Sequence, residues 1–164
     1  MNIFITGNPG CGKSTLVQKL LTELSDKDVS GILTPEIRAD GKRRGFKIID
    51  LASGKEDILA SMNIERGPGV SRYKVNIEGI DRIMERFLGS YEASDYVVID
   101  EIGMMEFYSK KFQDAIQVAL ASNKKVIATV SKRLVKEFRN KGQIYNLTRE
   151  NFDEIYVQVL RQIK

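Results

Sequence analysis

The run Gly7-Asn-Pro-Gly-Cys-Gly-Lys13-Ser14 constrains this chain more than any other stretch. It satisfies G-x-x-x-x-G-K-[ST], and each fixed position has a physical reason. Gly7, Gly10 and Gly12 allow a positive φ and let the backbone approach a ligand closely. The amides of the loop then point inward as an anion nest. A helix beginning near residue 13 adds its positive dipole end. Lys13 brings a full charge to β- and γ-phosphates, and the Ser14 hydroxyl is placed for Mg²⁺. The whole run Gly7, Asn8, Pro9, Gly10, Cys11, Gly12, Lys13, Ser14 and Thr15 is expected to wrap a polyphosphate, with Thr15 at the α-phosphate. The flanks agree. Residues 2–6 are a short apolar run, and Leu16, Val17, Leu20, Leu21 and Leu24 recur at helical spacing over 13–25. Cys11 is either a thiol activated by the helix start or the occupant of a position the motif leaves free.

Composition narrows the chemistry. Among 164 residues there is no His, no Trp and one Cys. Imidazole base catalysis and Ser-His-Asp or Cys-His pairs are excluded, as is a four-ligand zinc site of Cys and His. A single Cys forms no internal disulfide, which fits a reducing, cytoplasmic location. Acid–base or metal work falls to carboxylates, Lys, Tyr, hydroxyls and backbone. The length suits one domain spanning 1–164. No segment approaches the ~20 apolar residues of a membrane helix, and the N-terminal run is too poor in apolar residues for a secretory signal.

Periodicity predicts strands alternating with helices, hence an α/β sandwich with a mostly parallel sheet. Residues 30–60 break that rhythm. Short β-like runs at Gly31–Thr34, Glu36–Arg38, Gly45–Leu51 and Asp57–Ala60, separated by Ala39-Asp-Gly41 and Ser53-Gly54, predict hairpins. Loop and strand follow over 66–76, and a helix over 77–90. A strand at 96–100, a helix at 109–122, a strand at 125–130, a short helix at 132–140, a strand at 143–146 and a helix at 149–163 complete the map.

The strand Tyr96-Val-Val-Ile-Asp100 ends in acid and is followed by Glu101. Asp100 is the expected second metal-shell residue beside Ser14, through water. In a chain without His, Glu101 is the natural group to orient and deprotonate an attacking water. Glu106 is either a further acid at the site or the first-turn acid of the next helix. The Asp-Glu pair resembles that of phosphate-loop enzymes in which an additional strand lies between the loop strand and the Asp strand, the group that includes RecA-like and AAA-type proteins. Lys125–Val130 is then the candidate inserted strand. Thr129 or Ser131 at its tip would sense the γ-phosphate, or Thr129 simply fills a strand.

The net charge of +4 is unevenly placed. Residues 38–47 and 132–141 each carry five basic groups and one acid, leaving the rest of the chain at −4. Neither block has the aromatic interleaving of a single-strand nucleic-acid surface. A triphosphate with developing charge needs a cation beyond Lys13, and Arg38, Arg43, Arg44 and Arg72 are the candidates.

Several blocks occur together in order: Gly7–Ser14, Thr34-Pro-Glu-Ile-Arg38, Gly41-x-Arg43-x-Gly45-Phe46, Val70-Ser-Arg-Tyr73, Asp100-Glu-Ile-Gly-Met-Met-Glu106 and Asn146-Leu-Thr-Arg-Glu-Asn151. In these the chain resembles the THEP-type nucleoside-triphosphatases, also called the cancer-related NTPase family, over nearly its whole length. The resemblance implies an α/β, three-layer P-loop NTPase sandwich of the RecA-like, additional-strand group, with a mostly parallel central sheet and an inserted β-hairpin region. It implies slow, Mg²⁺-dependent hydrolysis of ATP, GTP, CTP and other nucleoside triphosphates to diphosphate and phosphate. It carries Lys13, Ser14, Asp100 and Glu101 into the roles above, with Lys13 and Glu101 catalytic and Ser14 and Asp100 on the metal. It singles out Arg43 as the third catalytic group. Ser71 departs from the family pattern, where glycine is expected.

The guanine-reading Asn-Lys-x-Asp string is absent, so broad base use is expected, with nucleoside triphosphates as partners and no membrane. A monomer is favoured and would have to supply its arginine in cis, whereas a ring could supply it in trans. Two other readings compete: a nucleoside or nucleotide kinase with 38–47 as a lid, and a nucleic-acid-linked ATPase module, which the segregated charge disfavours.

Overall fold

The computed structural model describes all 164 residues. One continuous ten-stranded sheet organises them. Strands β1 (Asn2–Thr6), β2 (Val29–Leu33), β8 (Tyr96–Ile102), β9 (Lys125–Val130) and β10 (Gln143–Asn146) form a parallel block in the order β10-β1-β9-β8-β2. The sheet continues in antiparallel fashion through β4 (Lys42–Asp50), β5 (Glu56–Ser61), β7 (Tyr73–Val75) and β6 (Gly69–Val70), with β3 (Glu36–Ala39) paired to β4 off the main path. Four helices flank it: α1 (Lys13–Glu23), α2 (Ile77–Ser90), α3 (Lys110–Ala121) and α4 (Phe152–Ile163).

The period-2 alternation of strand side chains makes the layers. Ile3, Ile5, Val98 and Ile127 pack on one face with Leu16, Val17 and Leu20 of α1 and Ile155, Val159 and Ile163 of α4. Phe4, Val97, Ile99, Val126 and Ala128 pack on the other with Ile80, Met84 and Phe87 of α2 and Phe112, Ile116 and Ala119 of α3. Strands covered on both faces read as continuous apolar runs, as β8 and β9 do. The result is the expected three-layer α/β sandwich, and β9 lies between β1 and β8 as the additional strand.

Two expectations need correction. Residues 29–33 are no part of a hairpin: β2 lies parallel to β8 and inside the parallel block. Its apolar run is broken by Ser30, whose hydroxyl meets that of Ser94 at 2.8 Å, and by Gly31, where any Cβ would collide with the Val98 backbone. The glycine is there because the neighbouring strand passes too close for a side chain. The helix expected over 132–140 is only a 3₁₀ turn at Val135–Phe138. Its one fully packed anchor is Phe138, which stacks obliquely on Phe4 at 5.2 Å.

The hairpin signals after β2 are present as read. Asp40 (φ 53°) and Gly41 (φ 71°) both take positive φ at the β3–β4 turn, as a two-residue type I′ connection demands. Strand β4 pairs with β2 only through Ile49 and Asp50. Residues 42–47 therefore run on past the carboxyl ends of the parallel strands and overhang the edge that carries the phosphate loop.

Candidate nucleotide site

β1 delivers the chain at its carboxyl end into the glycine loop, and α1 leaves from it. Gly10 (φ 78°) and Gly12 (φ 106°) take the left-handed conformations the motif anticipates. At Gly7 the reason is space: a Cβ would lie 2.5 Å from the Leu147 carbonyl oxygen and 2.7 Å from Cys11 Sγ. Cys11 is buried in the core beneath the loop. Side chains cap the first turns of α2 (Asn76) and α3 (Ser109), but none caps α1, and no acid lies in its first turn. Its free amides and dipole end are left for an anion. Lys13 Nζ donates to the carbonyls of Gly7 (3.0 Å) and Asn8 (3.4 Å), so its charge lies across the mouth of the loop.

Two strands away, β8 brings up the acids. Its pairing with β9 is irregular between Ile99 and Ile102, so Asp100 and Glu101 sit at a break in the ladder, and the peptide between them is cis. Thr129, fully buried at the tip of β9, donates to Asp100 Oδ1 at 2.6 Å. Thr34, just past β2, holds the backbone: its amide and hydroxyl both donate to the Asp100 carbonyl (2.7 and 2.9 Å), and its hydroxyl accepts from the Glu101 amide at 3.1 Å. Both neighbouring strands thus fix the acid pair. Burial raises the Glu101 carboxyl above its ordinary pKa, Lys13 opposes that, and Asp100 reinforces it.

Glu106 is a first-turn acid of a 3₁₀ turn (Glu106–Tyr108), and it is only 3% exposed. Its Oε2 has no hydrogen-bond partner. Burial, with the charge of Glu101 adding to it, pushes its pKa to about 8. Glu106 Oε2 and Glu101 Oε1 both crowd Gly103, lying 2.5 and 3.1 Å from the position a Cβ would take there. Glu106 is therefore not the first-turn acid of α3, which has none; it opens the preceding 3₁₀ turn, with its carboxyl beside that of Glu101.

Of the arginines, Arg43 is the most engaged. Its guanidinium donates to the Tyr73 hydroxyl (3.0 Å) and to Glu36 (3.3 Å) and lies over the Phe46 and Tyr73 rings. Arg72 donates to the same hydroxyl (3.2 Å) and to the Arg43 carbonyl (3.2 Å). Arg38 pairs with Glu36 and the Gly41 carbonyl. β4 is four strand spacings from β1, roughly 19 Å, so the hairpin overhangs the loop's edge without touching the loop. A cleft of about 550 Å³ on this hairpin, lined by Glu36, Arg38, Lys47, Glu56 and Asp57, is likewise remote from the loop.

Three side chains at the loop were not singled out in the sequence. Lys132, after β9, donates to Asn8 Oδ1 at 2.8 Å, Arg149 donates to the Gly10 carbonyl at 3.4 Å, and the Phe152 ring lies against Gly12. Each is more than 120 residues from its partner in the chain. The only local hints were the basic block at 132–141 and the Asn146–Asn151 string.

The site's donors suit a hard cation. Ser14 and Asp100 offer oxygen, and the chain has no imidazole. Mg²⁺ takes one or two protein oxygens together with phosphate oxygens and water. No cluster of three or more acidic, His or Cys side chains forms a cage, and no helix is long and apolar enough to cross a membrane.

Comparison with known proteins agrees with this geometry. The family model described as NTPase matches residues 2–160. A nucleoside-triphosphatase THEP1 of Methanocaldococcus jannaschii is 40% identical over 99% of this chain and 97% of its own length. The crystal structure of THEP1 from the hyperthermophile Aquifex aeolicus superposes with a TM-score of 0.85 at 35% identity, covering 100% of this chain and 99% of that one. The solution structure of a human cancer-related nucleoside triphosphatase gives 0.81 at 28%, covering 99% and 97%. With the glycine loop, the Asp-Glu strand and the inserted strand all in place, the chain belongs to the NTPase family.

Proposed function

We propose that this chain hydrolyses nucleoside triphosphates of varied base to the diphosphate and phosphate, with Mg²⁺ as cofactor. The observation that carries the mechanism is the placement of Glu101. It is a partly buried carboxyl of raised basicity, locked by Thr34 at its amide and facing the field of Lys13. A base poised nearer neutrality is what water activation needs.

In this reading the loop amides and Lys13 bind the β- and γ-phosphates and neutralise their charge. Ser14 and Asp100 would hold the cation, which supplies charge neutralisation across the phosphate oxygens. Glu101 accepts a proton from water as the water oxygen attacks the γ-phosphorus, and the β–γ bridging oxygen departs with the diphosphate. Thr129 keeps Asp100 in one orientation and is a positioning residue. Arg43, brought in from the overhanging hairpin, adds positive charge as the γ-phosphoryl group separates. The absence of the guanine-reading Asn-Lys-x-Asp string supports broad substrate use.

Phosphate release measured across ATP, GTP, CTP and UTP with Mg²⁺ tests this. Lys13→Ala is expected to lower turnover by ~10²–10³ through loss of electrostatic stabilisation. Glu101→Gln is expected to lower it by ~10²–10⁴ while nucleotide still binds. Turnover of the glutamine variant within tenfold of wild type would refute the role of Glu101. Transfer of the γ-phosphate to an added nucleoside or monophosphate instead of water would make the chain a kinase.

A further inference from the structure

The strand order fixes which way a bound polyphosphate runs. Asp100 and Glu101 lie on the β9–β8 side of β1, so the γ end belongs there. Thr15, the expected α-phosphate contact, follows Ser14 into α1. The rest of the substrate must leave on the opposite side, toward β10. A cleft of about 380 Å³ opens on that side, between Gly10, Gly12 and Thr15 of the loop and Arg149, Phe152 and Asp153 of the segment after β10. That volume lies within the range of small-molecule sites.

The outer wall is preorganised. The turn between β10 and α4 is closed by reciprocal bonds: Thr148 N to Asn151 Oδ1 (2.7 Å) and Asn151 N to Thr148 Oγ1 (3.2 Å). Asn151 Nδ2 ties the turn back to the Asn146 carbonyl (2.9 Å). This holds Arg149 against Gly10 and starts α4 at Phe152. The Phe152 ring carbons stand 3.3 Å from where a Gly12 Cβ would be, so the ring sits on the loop because residue 12 has no side chain. An aromatic ring and a planar guanidinium that line one cleft are stacking partners for any base.

Building on the hydrolase reading, we infer that this cleft is the nucleobase and ribose subsite, in which Phe152 and Arg149 hold the base by stacking and so do not select among bases. Stacking is sequence-tolerant because every base has a π-face.

The test is calorimetric, with Mg²⁺ present, using ATP, GTP, CTP, UTP and inorganic tripolyphosphate, which has no base. Phe152→Ala and Arg149→Ala are each expected to raise Kd for all four nucleotides by about tenfold or more, while the Kd of tripolyphosphate stays within twofold. Phe152→Leu keeps apolar packing on Gly12 without a π-face. It is expected to weaken nucleotides but not tripolyphosphate, which covers the case in which the alanine variant fails to fold. Unchanged nucleotide binding in the variants overturns the proposal. So does a loss confined to one base, which would mean edge recognition elsewhere, or a parallel loss of tripolyphosphate, which would mean that the loop itself was disturbed. Because binding is read without turnover, a wild-type chain that binds nucleotides and releases no phosphate refutes the hydrolase reading alone.

Discussion

The parallel block and the antiparallel extension of the same sheet hold their functional residues by opposite means. In β10-β1-β9-β8-β2 the backbone is covered on both faces, and the acids are fixed by part-buried hydrogen bonds from Thr129, itself fully buried, and Thr34. In β3-β4-β5-β7-β6 the arginines stand past the sheet's edge. Arg38 and Arg43 pair with Glu36 through side chains 41–55% accessible, and Arg43 and Arg72 share the Tyr73 hydroxyl. Exposed pairs of this kind are worth ~0–1 kcal/mol, less than the ~1.5–3 kcal/mol of each side chain buried in the block. The acid pair thus sits on strand ends of the block, and Arg43, proposed above to add charge at the γ-phosphate, sits on the ribbon.

Glycines give the sharpest way to break the contrast. Gly31→Ala drives a Cβ into the Val98 backbone within the block, at φ 150°. It is expected to cost at least about 4 kcal/mol, at the exceptional end for single substitutions, or to prevent folding. Gly41→Ala meets nothing within 4 Å and is expected to cost only the ~1–2 kcal/mol of a left-handed residue. Urea denaturation of the two side by side decides; equal losses would erase the distinction.

The next effect belongs to Glu106. A carboxyl whose folded pKa is about 8 against an ordinary 4.5 holds its proton longer in the folded state. The sign follows directly: its contribution is complete below about pH 4.5, declines as pH rises, and is gone above about pH 8. The decline is ~1.4 kcal/mol per pH unit. Glu106→Gln, neutral throughout, is expected to lose about 2–3 kcal/mol less than wild type between pH 6 and pH 8. Parallel stability–pH curves for the two proteins would show that burial does not perturb this carboxyl.

Arg43 tests the ribbon. Arg43→Ala is expected to lower kcat by about 10- to 100-fold, the worth of one charge-assisted hydrogen bond. KM should change little and thermal stability hardly at all. A drop in stability with kcat intact would make Arg43 a clasp for Tyr73 alone.

The smallest effect is at Ser71, which takes φ 56° between β6 and β7. This is the position where the family resemblance led one to expect glycine, and the backbone keeps the glycine-like conformation with a serine in it. Ser71→Gly is expected to stabilise by up to about 1 kcal/mol, relief of left-handed strain less the entropy of a freer unfolded chain. It should be visible as a small rise in Tm.

What was legible in the sequence divides along the same line. The loop, the Asp-Glu strand and the place of β9 were readable because each is a local pattern with a fixed chemical reason. The parallel strand β2 was not, because Ser30 and Gly31 answer to neighbours, Ser94 and the Val98 backbone, that lie more than 60 residues on. Thr34 was visible only as part of a family string, since its partner is a peptide group on another strand. Lys132, Arg149 and Phe152 reach the loop from the far end of the chain, and no spacing rule connects them to it. Leu134, Val135 and Phe138 at helical spacing suggest a helix over 132–140, yet three apolar residues do not supply a full helix face, and only the 3₁₀ turn Val135–Phe138 forms.

The order β10-β1-β9 has a consequence for how this molecule is made. β1, which launches the phosphate loop, has no strand partner except β9 and β10, about 120–140 residues later. During synthesis it therefore emerges long before anything exists for it to pair with. The loop also waits for Leu147, whose carbonyl packs on Gly7. Contacts this distant in sequence form late and slowly. An interrupted chain ending before β9 would carry every residue of the glycine motif and none of the strands that hold it in shape.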